Sequence, residues 1–180
     1  MTPSQLSKLP SEGFSSDGFI IDQDCFSTVR YRTVPADNNG CGFIAAYNVR
    51  HALGHAVEWD DVREELDAMH TLRIPGPTLM RVMREYLNRY IPGWVETAGR
   101  DEAAAAAAVS LTGMFRYQEG RVPHFVSFVR QDDGRFRFFN VNDGLEDFTT
   151  TMEQFAREHF THGTVIALTV PTPQQKPVEQ

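Results

Sequence analysis

The hydrophobic period of this chain changes once, near residue 110, and that change limits the folds open to it. Before it, apolar residues recur at helical spacing. The segment from Gly42 to Leu53 carries Phe43, Ile44, Ala45, Ala46, Tyr47, Val49, Ala52 and Leu53 on nearly every side, and Gly54 follows as a stop. An element that is apolar all round is a helix buried in the core. Asp60 to Met69 sets Val62, Leu66 and Met69 on one face of a second helix. Pro77 fits the first position of a third, in which Leu79, Val82, Met83, Tyr86, Leu87 and Tyr90 keep the i, i+3, i+4, i+7 spacing. Asp101 to Val109, with six consecutive alanines, is a helix by propensity with little to bury. After that, the runs Leu111 to Tyr117, His124 to Gln131, Arg135 to Asn142 and Thr164 to Val170 are β-branched or aromatic and bounded by Gly, Pro and Asp. A short helix, Met152 to Glu158, precedes the last strand. Helices followed by antiparallel strands predict an α+β fold, not a βαβ array.

Composition narrows the function classes. With 180 residues, 41% of them hydrophobic, the chain is long enough for one core without a disulfide or a metal. Residues 17–170 read as a single domain. Residues 1–16, punctuated by Ser, Pro and Gly, and residues 171–180, with three prolines and one aliphatic side chain, read as disordered tails. Seventeen basic residues against 24 acidic give a net charge of −7, with no Lys/Arg block, so a nucleic acid is not an expected partner. No apolar run is long enough to span a bilayer, and none resembles a signal peptide. The expected location is therefore the cytoplasm, with Cys25 and Cys41 reduced. The expected state is a monomer. His51 and His55 bracket Gly54, where the helix stops, so they make no metal pair, and no cofactor or metal is expected.

The turn Asp132-Asp133-Gly134 fixes which side chains share a face. A three-residue loop closed by a left-handed Gly134 pairs Gln131 with Arg135. One face then carries His124, Val126, Phe128, Phe136, Phe138, Asn140 and Asn142. The other carries Phe125, Ser127, Val129, Arg135, Arg137, Phe139 and Val141. A two-residue loop would slip one strand and bury two guanidiniums beside Val126 and Phe128, which disfavours it. The preferred register puts a histidine and two asparagines on an apolar, core-directed face.

Cys41 stands between Gly40 and Gly42 at the start of the buried helix. Helix N-termini favour a thiolate through their free N–H groups and positive end. Glycines on both sides allow a substrate backbone to come close. A thiolate nucleophile needs an imidazole, and the imidazole needs a third group to fix its tautomer. His124 is the histidine on a predicted strand, and Asn140 and Asn142 share its face. Cys25, beside Asp22 and Asp24, reads as an inert buried thiol.

The run Asn39-Gly40-Cys41-Gly42-Phe43-Ile44-Ala45-Ala46 resembles the helix start of papain-like cysteine peptidases, most of all their bacterial C39-like branch. In that branch a histidine opens a strand, a third residue follows sixteen positions on, and a glycine often comes four after that. His124, Asn140 and Gly144 keep this spacing. The resemblance implies a papain-like fold, an N-terminal helical half with a buried central helix packed on a C-terminal antiparallel sheet. It also implies a Cys41–His124–Asn140 triad cleaving a peptide or amide bond in a peptide or protein substrate. Glutamine deamidation and acyl transfer use the same parts. The family's oxyanion donor, Gln or Asn six residues before the nucleophile, is replaced here by Pro35, which leaves Asn38 and Asn39 as nearer substitutes. Asn142 is a further substrate-binding candidate. A binding module that never completed the chemistry is the rival expectation.

Overall fold

Residues 10–71, 74–119, 122–141 and 145–172 are described by the computed structural model. Helix α1 (Ala36–Asn39) leads through Gly40 into α2 (Cys41–Ala52), the apolar segment singled out above. Phe43, Ile44, Ala45, Ala46 and Val49 are all buried, because α2 has the sheet on one side and α3 (Trp59–Met69) and α4 (Met80–Tyr90) on the other. Its one fully buried polar side chain, Asn48, satisfies both ends of its amide. Asn48 Oδ1 accepts from Ile20 N at 2.8 Å, while Nδ2 donates to Ile20 O at 2.8 Å and Ser127 Oγ at 3.0 Å. A buried amide left unpaired would cost about 1–3 kcal/mol, so these bonds fix both the N-terminal segment and the sheet to α2.

Strands β1 (Arg30–Tyr31) and β2 (Val34–Pro35) form a small hairpin ahead of α1. The main sheet is six-stranded and antiparallel, in the order β3 (Val95–Ala98), β8 (Ile166–Pro171), β4 (Ser110–Glu119), β5 (Val122–Arg130), β6 (Phe136–Val141), β7 (Leu145–Thr150). Helices α5 (Arg100–Ala108) and α6 (Met152–His159) cover the face opposite α2. The α+β architecture is therefore the expected one, with both faces of the sheet buried. Met114, Phe125 and Leu168 pack towards α2; Phe115, Val126, Phe128, Phe136 and Phe138 pack towards α5 and α6. The alanine helix does bury a stripe: Ala103 and Ala107 are fully covered. Phe138 stacks on Phe155 of α6 with ring centroids 3.9 Å apart. No helix among the described residues is long and apolar enough to cross a membrane.

Several expectations need correction. The third helix begins at Met80, not near Pro77, because His70 Nε2 accepts from the Leu79 N–H and Thr78 is hydrogen-bonded to Tyr31. Strands β3 and β7 were not expected: both are short edge strands without a clean alternation. Residues 10–16 are built into the fold rather than forming a tail. Pro10–Gly13 is a 3-10 turn whose Gly13 carbonyl accepts from Ile21 N at 2.8 Å, and Phe14 packs against Phe26 and Tyr47. At the other end β8 runs to Pro171. His159 is buried and stacks on Phe155.

The hairpin between β5 and β6 has the expected register. Gln131 N donates to Arg135 O at 2.8 Å, Gly134 has φ 82°, and Ser127, Phe128 and Val129 pair with Phe139, Phe138 and Arg137. Arg137 therefore lies on the Phe139 face. There it crosses the Phe19 and Phe139 rings and binds Asp147 in bidentate fashion, at 2.8 and 2.7 Å, and Asp17 as well. The Arg137 hydrogen bond holds the Asp17 carboxyl at a pKa of about 2, against an ordinary 3.8, with partial burial opposing it. A depressed carboxylate pKa adds stability that is complete above the unfolded value and lost as pH falls through the folded one. Asp17 is half exposed, so its share is small. Asp17→Asn is expected to flatten the fall of stability between about pH 4 and pH 2, measured by urea unfolding at several pH values. An unchanged slope would remove the pair from the acid response.

Candidate active site

Cys41 is the first residue of α2 and is 4% exposed. It borders a cavity of about 820 Å³ together with Gln23, Asp24, Val34, Pro35, Asp37, Asn38, Asn39, Pro75, Gly76, Pro77, Val122, Pro123 and His124. Three walls meet there. The start of α2 with α1 forms the floor, the 75–77 loop between α3 and α4 forms one side, and the opening residues of β5 form the other. Helices α3 and α4 contribute none of these lining residues.

The two glycines around Cys41 serve internal packing rather than substrate approach. A Cβ on Gly42 would fall on the Thr78 side chain, and one on Gly40 would stand 2.8 Å from Phe43 Cε1. Thr78 Oγ1 is in turn 2.8 Å from Tyr31 Oη. Burial pushes the Tyr31 hydroxyl pKa up, so that it stays a neutral partner. Gly42→Ala is expected to lower stability by about 1–3 kcal/mol through overpacking against Thr78. Thermal unfolding followed by circular dichroism checks this, and an unaltered midpoint would refute the packing role.

Buried polar side chains hold the 75–77 wall. Arg32, in the left-handed region at φ 48°, reaches the carbonyls of Gly76 and Pro77. Asn39 Nδ2 donates to Tyr31 O at 3.0 Å and Gly76 O at 3.1 Å. Both Asn39 amide hydrogens are thereby engaged, so the expected oxyanion role passes away from Asn39. His70, buried with its pKa lowered by desolvation, donates from Nδ1 to Leu66 O at 2.7 Å and accepts at Nε2 from Leu79 N. Asn38 is exposed at the rim, its Nδ2 on Asp37 Oδ1 at 2.6 Å.

His124 is 5% exposed at the start of β5. Its Nε2 lies 2.8 Å from the main-chain carbonyl oxygen of Asn140. A carbonyl only accepts, so Nε2 carries a hydrogen. Asn140 thus meets the ring through its backbone carbonyl and not through its side chain. Asn140 has φ 59°. That left-handed step ends the β5–β6 ladder at Ser127–Phe139 and reverses the alternation, so Val141, expected beside Phe139, packs with Phe136 and Phe138 instead. Asparagine is among the few residues that accept this conformation readily. Asn142 lies outside the described residues.

Sequence reasoning missed Gln23, which sits in a 3-10 turn (Gln23–Phe26) capped by Asp22. Gln23 N donates to Asn140 Oδ1 at 3.0 Å, Asn140 Nδ2 donates to Gln23 Oε1 at 3.2 Å, and Gln23 Nε2 donates to Asp37 O at 2.6 Å. The family's glutamine was sought six residues before Cys41, at Pro35, which lines the same cavity. A glutamine reaching the cavity from a separate turn leaves no spacing to find. Cys25, in the same turn, is 1% exposed and its Sγ lies 3.3 Å from Asp22 Oδ2. Neither cysteine is in a disulfide, and among the described residues no cluster of His, Cys, Asp and Glu could hold a metal.

No family model and no curated protein matches the chain. Among solved structures it is similar to the peptidase domain of Streptococcus ComA, a bi-functional ABC transporter involved in a quorum-sensing pathway. The likeness has a TM-score of 0.45 and 13% identity, over 74% of this chain and 93% of that one.

Proposed function

We propose that the protein is a papain-like thiol hydrolase that cleaves a peptide or amide bond in a peptide or protein substrate. The observation that carries this reading is the joint placement of Cys41 and His124 on one cavity, with His124 Nε2 held by the Asn140 carbonyl. With Nε2–H on that carbonyl, the role of base falls to Nδ1. The imidazole takes the thiol proton and Cys41 Sγ attacks the carbonyl carbon. The imidazolium then returns its proton to the departing amine, leaving a thioester. Water, deprotonated by His124, hydrolyses the thioester and frees the acid and the thiol. The main-chain N–H of Cys41 supplies one oxyanion donor. Gln23 supplies the second, since one of its two Nε2 hydrogens is engaged by Asp37 O and the other is left for the cavity. Gln23 thereby takes the part that Pro35 cannot. Two cysteines not joined by a disulfide suit a single domain working in the reducing cytoplasm.

Labelling tests the assignment of the nucleophile. Limited treatment with iodoacetamide near pH 6, followed by peptide mapping, is expected to modify Cys41 and spare Cys25. Preferential modification of Cys25 would overturn it, because Cys25 is in the core beside Asp22 while Cys41 borders the cavity.

A further inference from the structure

We infer that Gln23 is a positioning residue for the imidazole, acting through Asn140, in addition to any contact it makes with substrate. The inference rests on the thiol-hydrolase reading for its consequence, but not for its geometry. Asn140 touches His124 with its backbone carbonyl alone, so its side-chain amide is free for another task. Gln23 engages both ends of that amide: its main-chain N–H meets Oδ1 at 3.0 Å and its side-chain oxygen meets Nδ2 at 3.2 Å. A main-chain N–H can only donate, which fixes which end of the Asn140 amide is oxygen. The reciprocal pair pins a residue whose φ of 59° is rarely occupied outside glycine. The pinned conformation aims the Asn140 carbonyl at Nε2, 2.8 Å away.

The other arm of Gln23 extends the chain of contacts to the nucleophile's side. Its Nε2 donates at 2.6 Å to the carbonyl of Asp37 in α1, four residues before Cys41. One side chain thus ties the strand that holds the base's acceptor to the short helix that leads into the nucleophile. Nothing in the local sequence of either element specifies their mutual placement. Residues 23 and 140 are 117 positions apart, and this bridge joins them.

Alkylation by iodoacetamide separates this role from an oxyanion role, because displacement of iodide passes through no oxyanion. Gln23→Ala is expected to slow Cys41 alkylation near pH 6 by about threefold to tenfold, less than the 10² that a displaced reacting group can cost. Above about pH 9, where the thiol ionises without help, the rate should not change. In an Asn140→Gly background Gln23→Ala should add no further loss, since the two act as one unit. An unchanged pH 6 rate in Gln23→Ala, or additive losses in the double variant, would overturn the inference. A second measurement does not depend on reactivity. In histidine-labelled protein the His124 Nε2–H resonance should be visible by nitrogen-edited NMR and should broaden by faster exchange in Gln23→Ala. An unchanged resonance would overturn the clamp even if Cys41 proved reactive. Equal pH 6 alkylation of wild type and His124→Ala would defeat the hydrolase reading and leave the NMR result to decide the clamp.

Discussion

Removing the imidazole of His124 is expected to slow alkylation of Cys41 near pH 6 by something on the order of tenfold to a hundredfold, and to change it little above pH 9. An unassisted thiol is almost wholly protonated at pH 6. Reactivity there requires a partner that accepts the proton, and the ring that borders the cavity with Cys41 is His124, whose Nε2–H is on the Asn140 carbonyl and whose Nδ1 is the nitrogen proposed as the base. The helix start of α2 remains in His124→Ala, so part of the activation should survive. The measurement is the pH–rate profile of a mass-resolved alkylation, wild type against His124→Ala. If Cys41 and His124 were merely buried neighbours, the substitution would act through stability alone, as a lost buried hydrogen bond of about 1–3 kcal/mol. The two profiles would then coincide, and the enzyme reading would fail with them.

Most of this arrangement was legible in the sequence because it depends on period and turn chemistry. The apolar run at 42–53 has no polar face to present to water, so burial was forced. The Asp132-Asp133-Gly134 turn set the register, since the alternative would have placed Arg135 and Arg137 beside Val126 and Phe128. What was not legible depends on single departures from period. The left-handed step at Asn140 turns Val141 to the opposite face and turns the asparagine side chain from the ring to Gln23. A period-of-two argument assumes an unbroken pleat and therefore puts the Asn140 side chain on the ring's face, where the structure has its backbone carbonyl. The glycines beside Cys41 misled in a similar way. Gly-Cys-Gly suggests room for a substrate, yet the room at Gly42 is taken by Thr78, a contact made across 36 residues of chain.

Those two departures meet in the expected behaviour of Asn140 variants. If the side chain oriented the ring directly, every substitution that removes the amide would be about equally harmful. The structure predicts a ranking instead. Asn140→Gly keeps the backbone carbonyl and adopts φ 59° without strain, so only the clamp to Gln23 is lost; alkylation near pH 6 should fall a few-fold, by about threefold to tenfold. Asn140→Val cannot hold a left-handed conformation cheaply, because its branched Cβ adds about 1–3 kcal/mol of strain there. The strand should relax towards an ordinary extended φ, carrying the carbonyl away from Nε2. The ring then loses its acceptor and its fixed tautomer, and the pH 6 rate should approach that of His124→Ala. Stability should separate the variants in the same order, Gly milder than Val, by urea unfolding. Equal losses for Gly and Val, with stability unchanged in both, would return the orienting role to the side chain. The ranking is informative because the glycine variant removes the whole side chain and is still the better tolerated of the two.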